Sequence, residues 1–367
     1  MKKITILCHD ISNNALGRAW VLARLSEPEY SATIVGPALS GDIWAPLADG
    51  GGSAIRMLDQ GDQRRWIEAI DGDILVAVKP RRDSLTLALH ASAAKPRPVV
   101  ADVDDWEMAF FYDYPARMAK HLVAVSSPRN VYRTLAAQRR IPLANGITVS
   151  STWLQRRFGG EIIPHARNAD VFDPSRLDRL AARARLDVTD SDVVIMFLGT
   201  VMKHKGVDLI AEAMTRTGRS DLLLAAPFGG DSGLGRSIRT RPLPPTSIEE
   251  LPSTLIAADL IVLPQRHSRS AAAQVPAKVF DALALGIPVI ASDVSDLKEI
   301  VGSGGMTVPP DDVDAMADAI RRLASDAGLR RQMSASARAR FLANYSEDAV
   351  RPRWLGAIER AERHASL

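Results

Sequence analysis

Short apolar runs alternate with longer amphipathic segments along most of this chain, and that alternation constrains the fold more than any other feature. A parallel sheet covered on both faces by crossover helices has this signature, because its strands are buried on both sides. In the first half the candidate strands are Ile4–Leu7, Ala32–Val35, Ile74–Val78, Val99–Val103, Leu122–Val125 and Gly146–Val149. Helices are expected between them at Leu16–Leu25, Arg64–Ile70 and Pro128–Gln138. Pro128 fits an early helical turn after Ser126 or Ser127 as the cap.

The pattern pauses after Ile163. Residues 164–190 hold Pro164, Pro174 and the basic run Arg176, Arg179, Arg183 and Arg185, which reads as an interdomain connection followed by a surface helix. A second series then starts with a strand at Val193–Leu198 and a helix at Val207–Met214. Further strands follow at Leu222–Ala226, Leu260–Leu263, Pro288–Ala291 and Met306–Val308. The tail is helical by period, with Asp311 or Asp312 capping Val313–Leu323. The fold class is therefore α/β, with two consecutive doubly wound halves. A cleft is expected outside the C-terminal ends of their strands, where this architecture places ligands.

Length and composition agree. At 367 residues the chain is too long for one ordinary core and long enough for two domains. A net charge of only +3 does not suggest a dedicated nucleic-acid binder, and a mild basic excess suits anionic small molecules or an anionic membrane surface. The single cysteine, Cys8, excludes an intrachain disulfide and a cysteine zinc cluster, and its apolar neighbours predict a buried thiol. The first apolar run stops at His9-Asp10, too short for a signal peptide or a membrane span. A cytoplasmic protein is expected, soluble or resting on the inner face of the membrane.

Two segments carry chemistry. In the first, Phe197-Leu198-Gly199-Thr200-Val201-Met202-Lys203-His204-Lys205-Gly206-Val207, a strand runs into a helix. Gly199 permits close backbone approach, and Gly206 stands near the helix start, where unpaired N–H groups favour an anion. Lys203 and Lys205 add positive charge. A solvated strand–helix turn is the plainer reading. In the second, Val275 to Ser292, Pro276 suits a first helical turn and Gly286 a helix end. Lys278 and Asp281 share a helix face, as a phosphate cation with a ribose-binding carboxylate or as an ordinary surface ion pair.

These segments resemble the donor-domain motifs of the retaining glycosyltransferase family four. Lys205-Gly206 and the run from Asp281-Ala282-Leu283-Ala284-Leu285-Gly286 to Ile287-Pro288-Val289-Ile290-Ala291 are similar to that family's Lys-Gly and Glu-Ala-Met-Ala-x-Gly-x-Pro-Val-Ile-Ala. Ile162-Ile163-Pro164-His165-Ala166-Arg167-Asn168-Ala169-Asp170-Val171-Phe172-Asp173-Pro174 is similar to its crossover stretch. The resemblance implies a GT-B fold: an acceptor-binding Rossmann-like domain at 1–165, a nucleotide-sugar-binding one at 166–344, and a closing helix at 345–367 that packs back on the first, anchored by Trp354. The chain departs from the family at Thr200, where an arginine is usual, and at Ala273, where the first of two glutamates is usual. Pro276, Lys278 and Asp281 resemble a Pro-x-Lys-x-x-Glu variant in which the lysine takes over contact with the donor.

On this resemblance the donor is a nucleoside diphosphate sugar, UDP-sugar by default, held by Gly17, Gly199, Thr200, Lys203, Lys205, Gly206, Lys278 and Asp281. The acceptor is a glycan, glycolipid or small molecule, met by His9, Asn13, Asn14, Arg18, Asp102, Asp105 and Trp106. Asp104, Lys205 and Lys278 are the catalytic candidates. Each also has a plainer reading: Arg18 as a helix-surface charge, and the cluster Asp102, Asp104, Asp105 as helix caps. His9 and His165 are expected near the cleft; His90, His121, His204, His267 and His364 read as surface or structural. No cofactor and no metal is expected.

Trp106, Phe110, Phe111, Tyr112 and Tyr114, with Arg117, Lys120 and His121 after them, read as interdomain core with a basic edge, or else as an acceptor groove or membrane-surface patch. The expected reaction is sugar transfer to a hydroxyl with retention, in cell-surface polysaccharide or glycolipid assembly. The alternatives are a nucleotide-sugar 2-epimerase of the same architecture and a non-catalytic nucleotide-binding subunit.

Overall fold

A computed structural model describes residues 1–58, 63–123, 130–199, 205–227 and 238–366. It divides into two units, Met1–His165 with Val350–Leu367, and Ala166–Ala349.

The first unit is built on a seven-stranded sheet: β1 (Lys3–Cys8), β2 (Ser31–Pro37), β3 (Ala54–Leu58), β4 (Ile74–Val78), β5 (Val99–Val103), β6 (Gly146–Val149) and β7 (Glu161–Ile162), in the order β3-β2-β1-β4-β5-β6-β7. Every pairing is parallel. The helices are α1 (Ala15–Ser26), α2 (Gln63–Ala69), α3 (Leu87–Ala94), α4 (Ala109–Tyr112), α5 (Pro115–Val123), α6 (Val131–Arg139) and α7 (Thr152–Phe158). All of β4 and β5 is buried, as two-sided covering requires.

The second unit has a six-stranded parallel sheet: β8 (Val193–Met196), β9 (Leu222–Ala226), β10 (Arg239–Pro242), β11 (Leu260–Leu263), β12 (Val289–Ser292) and β13 (Gly305–Val308), in the order β10-β9-β8-β11-β12-β13. Its helices are α8 (Arg179–Arg185), α9 (Val207–Thr217), α10 (Leu251–Leu255), α11 (Arg269–Ala273), α12 (Lys278–Ala284), α13 (Leu297–Val301), α14 (Val313–Ser325) and α15 (Ala327–Asn344). Alternate strand residues feed two cores: Val194, Met196 and Ile261 face one side, Ile195, Leu224 and Val262 the other. The two doubly wound α/β sheets expected from the sequence are both present.

The last helix, α16 (Glu347–Ala365), carries Val350–Leu367 into the first unit. Trp354 is fully buried there, and its indole N–H donates to Ser26 Oγ at 2.9 Å. The helix passes so close to β6 that a Cβ on Gly146 would sit 2.9 Å from that of Ala361.

Three sequence expectations are corrected. Leu122 and Val123 end helix α5 rather than start a strand; Ala124 and Val125 lie outside the described residues. A short apolar run does not by itself distinguish strand from helix, and Pro115 in a first helical turn was the stronger signal. Helix α6 starts at Val131, with the Asn130 side chain accepting from Arg133 N at 2.8 Å; Ser126, Ser127 and Pro128 lie outside the described residues. The helix after the connection is not purely a surface element. Arg183 in α8 is buried, donating to Asp259 Oδ2 and to the Ala257, Thr189 and Asp192 carbonyls.

Candidate functional site

In the second unit, β8 leads through Phe197 and Leu198 to Gly199, whose φ of +123° is open chiefly to glycine. Gly206 caps α9 with φ +67°, and a Cβ there would lie 2.1 Å from the Pro264 carbonyl oxygen. Backbone cannot give way at that distance, so the tight entry into α9 demands glycine. The Lys205 ammonium lies beside Gly199, 3.5 Å from where a Cβ would stand. Helix α9 thus opens with a lysine; of its first-turn N–H groups, Leu209 N donates to the Gly206 carbonyl at 2.9 Å, while those of Val207 and Asp208 lie ahead of any helical carbonyl. Asp208, in that first turn, is committed outward to Arg266 Nη2 at 2.5 Å. Thr200 and Lys203 lie outside the described residues.

Helix α12 supplies Lys278 and Asp281. Lys278 is half-buried, and burial lowers its pKa, Asp281 opposing and Arg167 adding to the effect. Asp281 is fully buried. Its Oδ1 accepts from Arg167 Nε at 2.5 Å; its Oδ2 makes no hydrogen bond and lies 3.9 Å from Lys278 Nζ. This corrects the expected ribose contact, because a carboxylate turned inward onto an arginine presents no open face to a ligand. It also corrects the plainer reading of a surface ion pair.

In the first unit, charged groups gather at the C-terminal ends of β4 and β5. Lys79 follows β4 with φ +49°, a left-handed conformation uncommon outside glycine. Its ammonium pairs with Asp104 at 2.9 Å and with Asp105. Asp104 also meets His165 Nε2 at 3.1 Å. Burial works to raise the Asp104 carboxyl, but Lys79 and then His165 outweigh it and hold it well below the usual range. Burial keeps Asp105 above the usual range against the pull of Lys79. A strongly ionised Asp104 can accept a hydrogen bond from a hydroxyl but is a weak proton acceptor, which argues against it as the main catalytic base.

Arg18 and Asp102 are structural, contrary to both readings of each. Their side chains are fully buried in a two-pronged pair, Nε to Oδ2 at 2.9 Å and Nη2 to Oδ1 at 2.8 Å. Asp102 also accepts from Thr148 Oγ1. The first loop is largely tied to itself: Asp10 accepts from Ser12 Oγ, Asn13 Nδ2 and Leu39 N, and Asn13 Oδ1 accepts from Ala15 N. Asn13 is therefore spent on the loop and Asn14 is exposed, while His9 is buried beside Asp10. Gly17 faces Trp44, whose ring would meet a Cβ at 3.3 Å. Trp106 stacks 5.0 Å from Trp153 under the Arg157 guanidinium and donates to Gln138 Oε1 at 3.1 Å. Of its aromatic neighbours, Phe111 joins Met108 and Val131 in a small core, while Tyr112 and Tyr114 stay exposed.

Sequence reasoning missed Arg167 and Lys79. A lone arginine in a polar crossover reads as a surface charge, and nothing local betrays a partner 114 residues away. Lys79 had a signal: it directly follows a five-residue apolar strand, at the strand end where such sheets place their ligands.

Residues 192–326 match the family model described as glycosyl transferases group 1. The D-inositol 3-phosphate glycosyltransferase of Geodermatophilus obscurus is 32% identical over 201 residues, covering 47% of this chain and 43% of the relative. The Mycobacterium bovis protein of the same name is 30% identical over 219 residues, covering 55% and 44%. The chain thus spans less than half the length of the curated relatives it matches. Among solved structures, Anabaena HepE in complex with UDP and glucose superposes with a TM-score of 0.75 at 16% identity, over 98% of this chain and 100% of that one. Sucrose-phosphate synthase from Thermosynechococcus elongatus gives 0.73 at 17%, over 98% of both. At these identities what is shared is the fold, that of the GT-B enzymes, with two Rossmann-like parallel sheets. Among the described residues no helix is long and apolar enough to cross a membrane.

Proposed function

Since residues 192–326 match the glycosyl transferases group 1 family model, we propose that this chain moves a sugar from a nucleoside diphosphate sugar to a hydroxyl acceptor. The observation that carries this reading is a lysine at the start of each of two helices in the second unit, Lys205 before the glycine-capped α9 and the half-buried Lys278 as the first residue of α12. Two lysines and a helix N-terminus suit a diphosphate, and they stabilise the charge that grows on it as the glycosidic bond breaks. With that charge met by the protein, no divalent ion is assigned to the site.

UDP-sugar is the favoured donor, supported by the complexes of HepE with UDP and with UDP-glucose. Asp104, His165 and His9 of the first unit are assigned to the acceptor, a glycan, glycolipid or small molecule. Retention follows from the family resemblance, with leaving-group assistance by Lys205 and Lys278 carrying more of the rate than any one base. Work on the inner face of the membrane, in polysaccharide or glycolipid assembly, completes the reading.

The test is a thermal-shift panel of UDP-, GDP- and ADP-sugars with release of free nucleotide followed on the same samples. A ligand that binds the folded state alone raises its apparent stability. A selective shift with slow hydrolysis supports a transferase; an epimerised sugar in the products identifies an epimerase; a shift without turnover in a broad acceptor screen identifies a non-catalytic subunit.

A further inference from the structure

Arg167 stands outside the groups assigned above to donor and acceptor. Its side chain is almost wholly buried, and its backbone is pinned: Arg167 N donates to the Tyr345 carbonyl at 3.3 Å, and Glu347 N donates to the Arg167 carbonyl at 3.0 Å. From this fixed base Nε reaches Asp281 Oδ1 at 2.5 Å, while Nη1 turns back to the Ala166 carbonyl at 2.8 Å.

The pairing is not what stability alone would select. An arginine placed only to satisfy a buried carboxylate would grip both oxygens with its fork. Here Asp281 Oδ2 is buried with no hydrogen bond, an arrangement that is costly to keep. Two cations share one carboxylate, and the distances are unequal: 2.5 Å to Arg167 and 3.9 Å to Lys278. Lys278 and Asp281 lie on one face of α12, where they would otherwise close into an ordinary i,i+3 pair. The triad keeps a net charge of +1, from two cations and one carboxylate, and Lys278 is its solvent-accessible member.

We propose that Arg167 is a positioning residue of the donor site: by holding the Asp281 carboxylate it keeps Lys278 from closing onto its own helix and leaves that ammonium for the diphosphate. The proposal rests on the donor-site reading above. It makes Asp281 a group that acts through Lys278, with no contact to the nucleoside. Without Arg167 the carboxylate captures Lys278, and the site loses both its excess charge and its phosphate contact.

Calorimetric titration of UDP and of pyrophosphate into the whole chain tests this, with thermal melts as the folding control. Arg167→Gln is expected to weaken both ligands about tenfold, the loss of one charge-assisted contact. Arg167→Gln/Asp281→Asn removes the trap and is expected to restore both to within about threefold of wild type. A merely structural arginine predicts that any change in binding follows the thermal melts, in the single and the double variant alike. Unchanged binding in Arg167→Gln, or no rescue in the double variant, overturns the proposal. Should Arg167→Gln fail to fold, Asp281→Asn decides: the proposal requires UDP and pyrophosphate to change by the same factor, and a loss confined to UDP places Asp281 on the ribose and overturns it. Wild-type protein that binds neither ligand, nor GDP or ADP, sinks the donor-site reading itself and this inference with it.

Discussion

Asp104 is held between two buried bases, the Lys79 ammonium at 2.9 Å and His165 Nε2 at 3.1 Å. A carboxylate so placed links acid stability to one cluster. Its depressed pKa contributes stability that is complete above the unfolded value of about 3.9 and is lost as pH falls toward the folded value. Asp104→Asn is expected to lose about 1–3 kcal/mol at neutral pH, and its stability curve should converge on wild type only as pH falls through the folded pKa, well below the usual carboxylate range. Urea titrations across that range provide the check; parallel curves would remove Asp104 from the acid transition.

Arg18→Met leaves the Asp102 carboxylate buried without its cation and should cost about 3–5 kcal/mol, as should Asp102→Ala for the opposite reason. The double replacement Arg18→Met/Asp102→Leu should cost clearly less than the two together, because it strands no charge. Denaturant melts measure this. Full stability in Arg18→Met would contradict the structural role of the pair.

Gly206→Ala places a Cβ against the Pro264 carbonyl in a left-handed conformation. A loss of about 1–3 kcal/mol is expected from the backbone strain, with UDP binding weakened in the same protein. Gly218→Ala is the control. It shares the left-handed backbone at the other end of α9 but meets nothing within 4 Å, so it should cost about 1 kcal/mol and spare binding.

Trp354→Ala empties the site under α16 and should cost about 3–5 kcal/mol. Trp354→Phe, which keeps most of the ring and loses the bond to Ser26, should cost less, though more than the ~1 kcal/mol of the hydrogen bond alone. Equal loss in both would mean the hydrogen bond, rather than ring packing, holds the helix in place.

The strands that sequence reasoning found and those it missed differ in a physical way. Central strands such as β4 and β8 are covered on both faces and so appear as unbroken apolar runs. The missed strands β3, β7 and β10 are at or beside sheet edges, where one-sided burial admits Arg56, Glu161, Arg239 and Arg241. The glycines at 199 and 206 were legible because their backbone demands are local. The partnerships of Arg18 with Asp102 and Arg167 with Asp281 were not, since they join residues 84 and 114 positions apart through a fold the local pattern does not specify. Those two pairs moved Arg18, Asp102 and Asp281 from ligand contacts to interior groups.

The most direct test of the central claim is calorimetric titration of UDP-glucose, with GDP- and ADP-glucose in parallel, into wild type and Lys278→Ala. The donor-site assignment predicts that at least one binds wild type and that Lys278→Ala binds it about tenfold or more weakly, the cost of one charge-assisted phosphate contact. Binding untouched by the substitution, or no binding of any of the three to wild type, would contradict it.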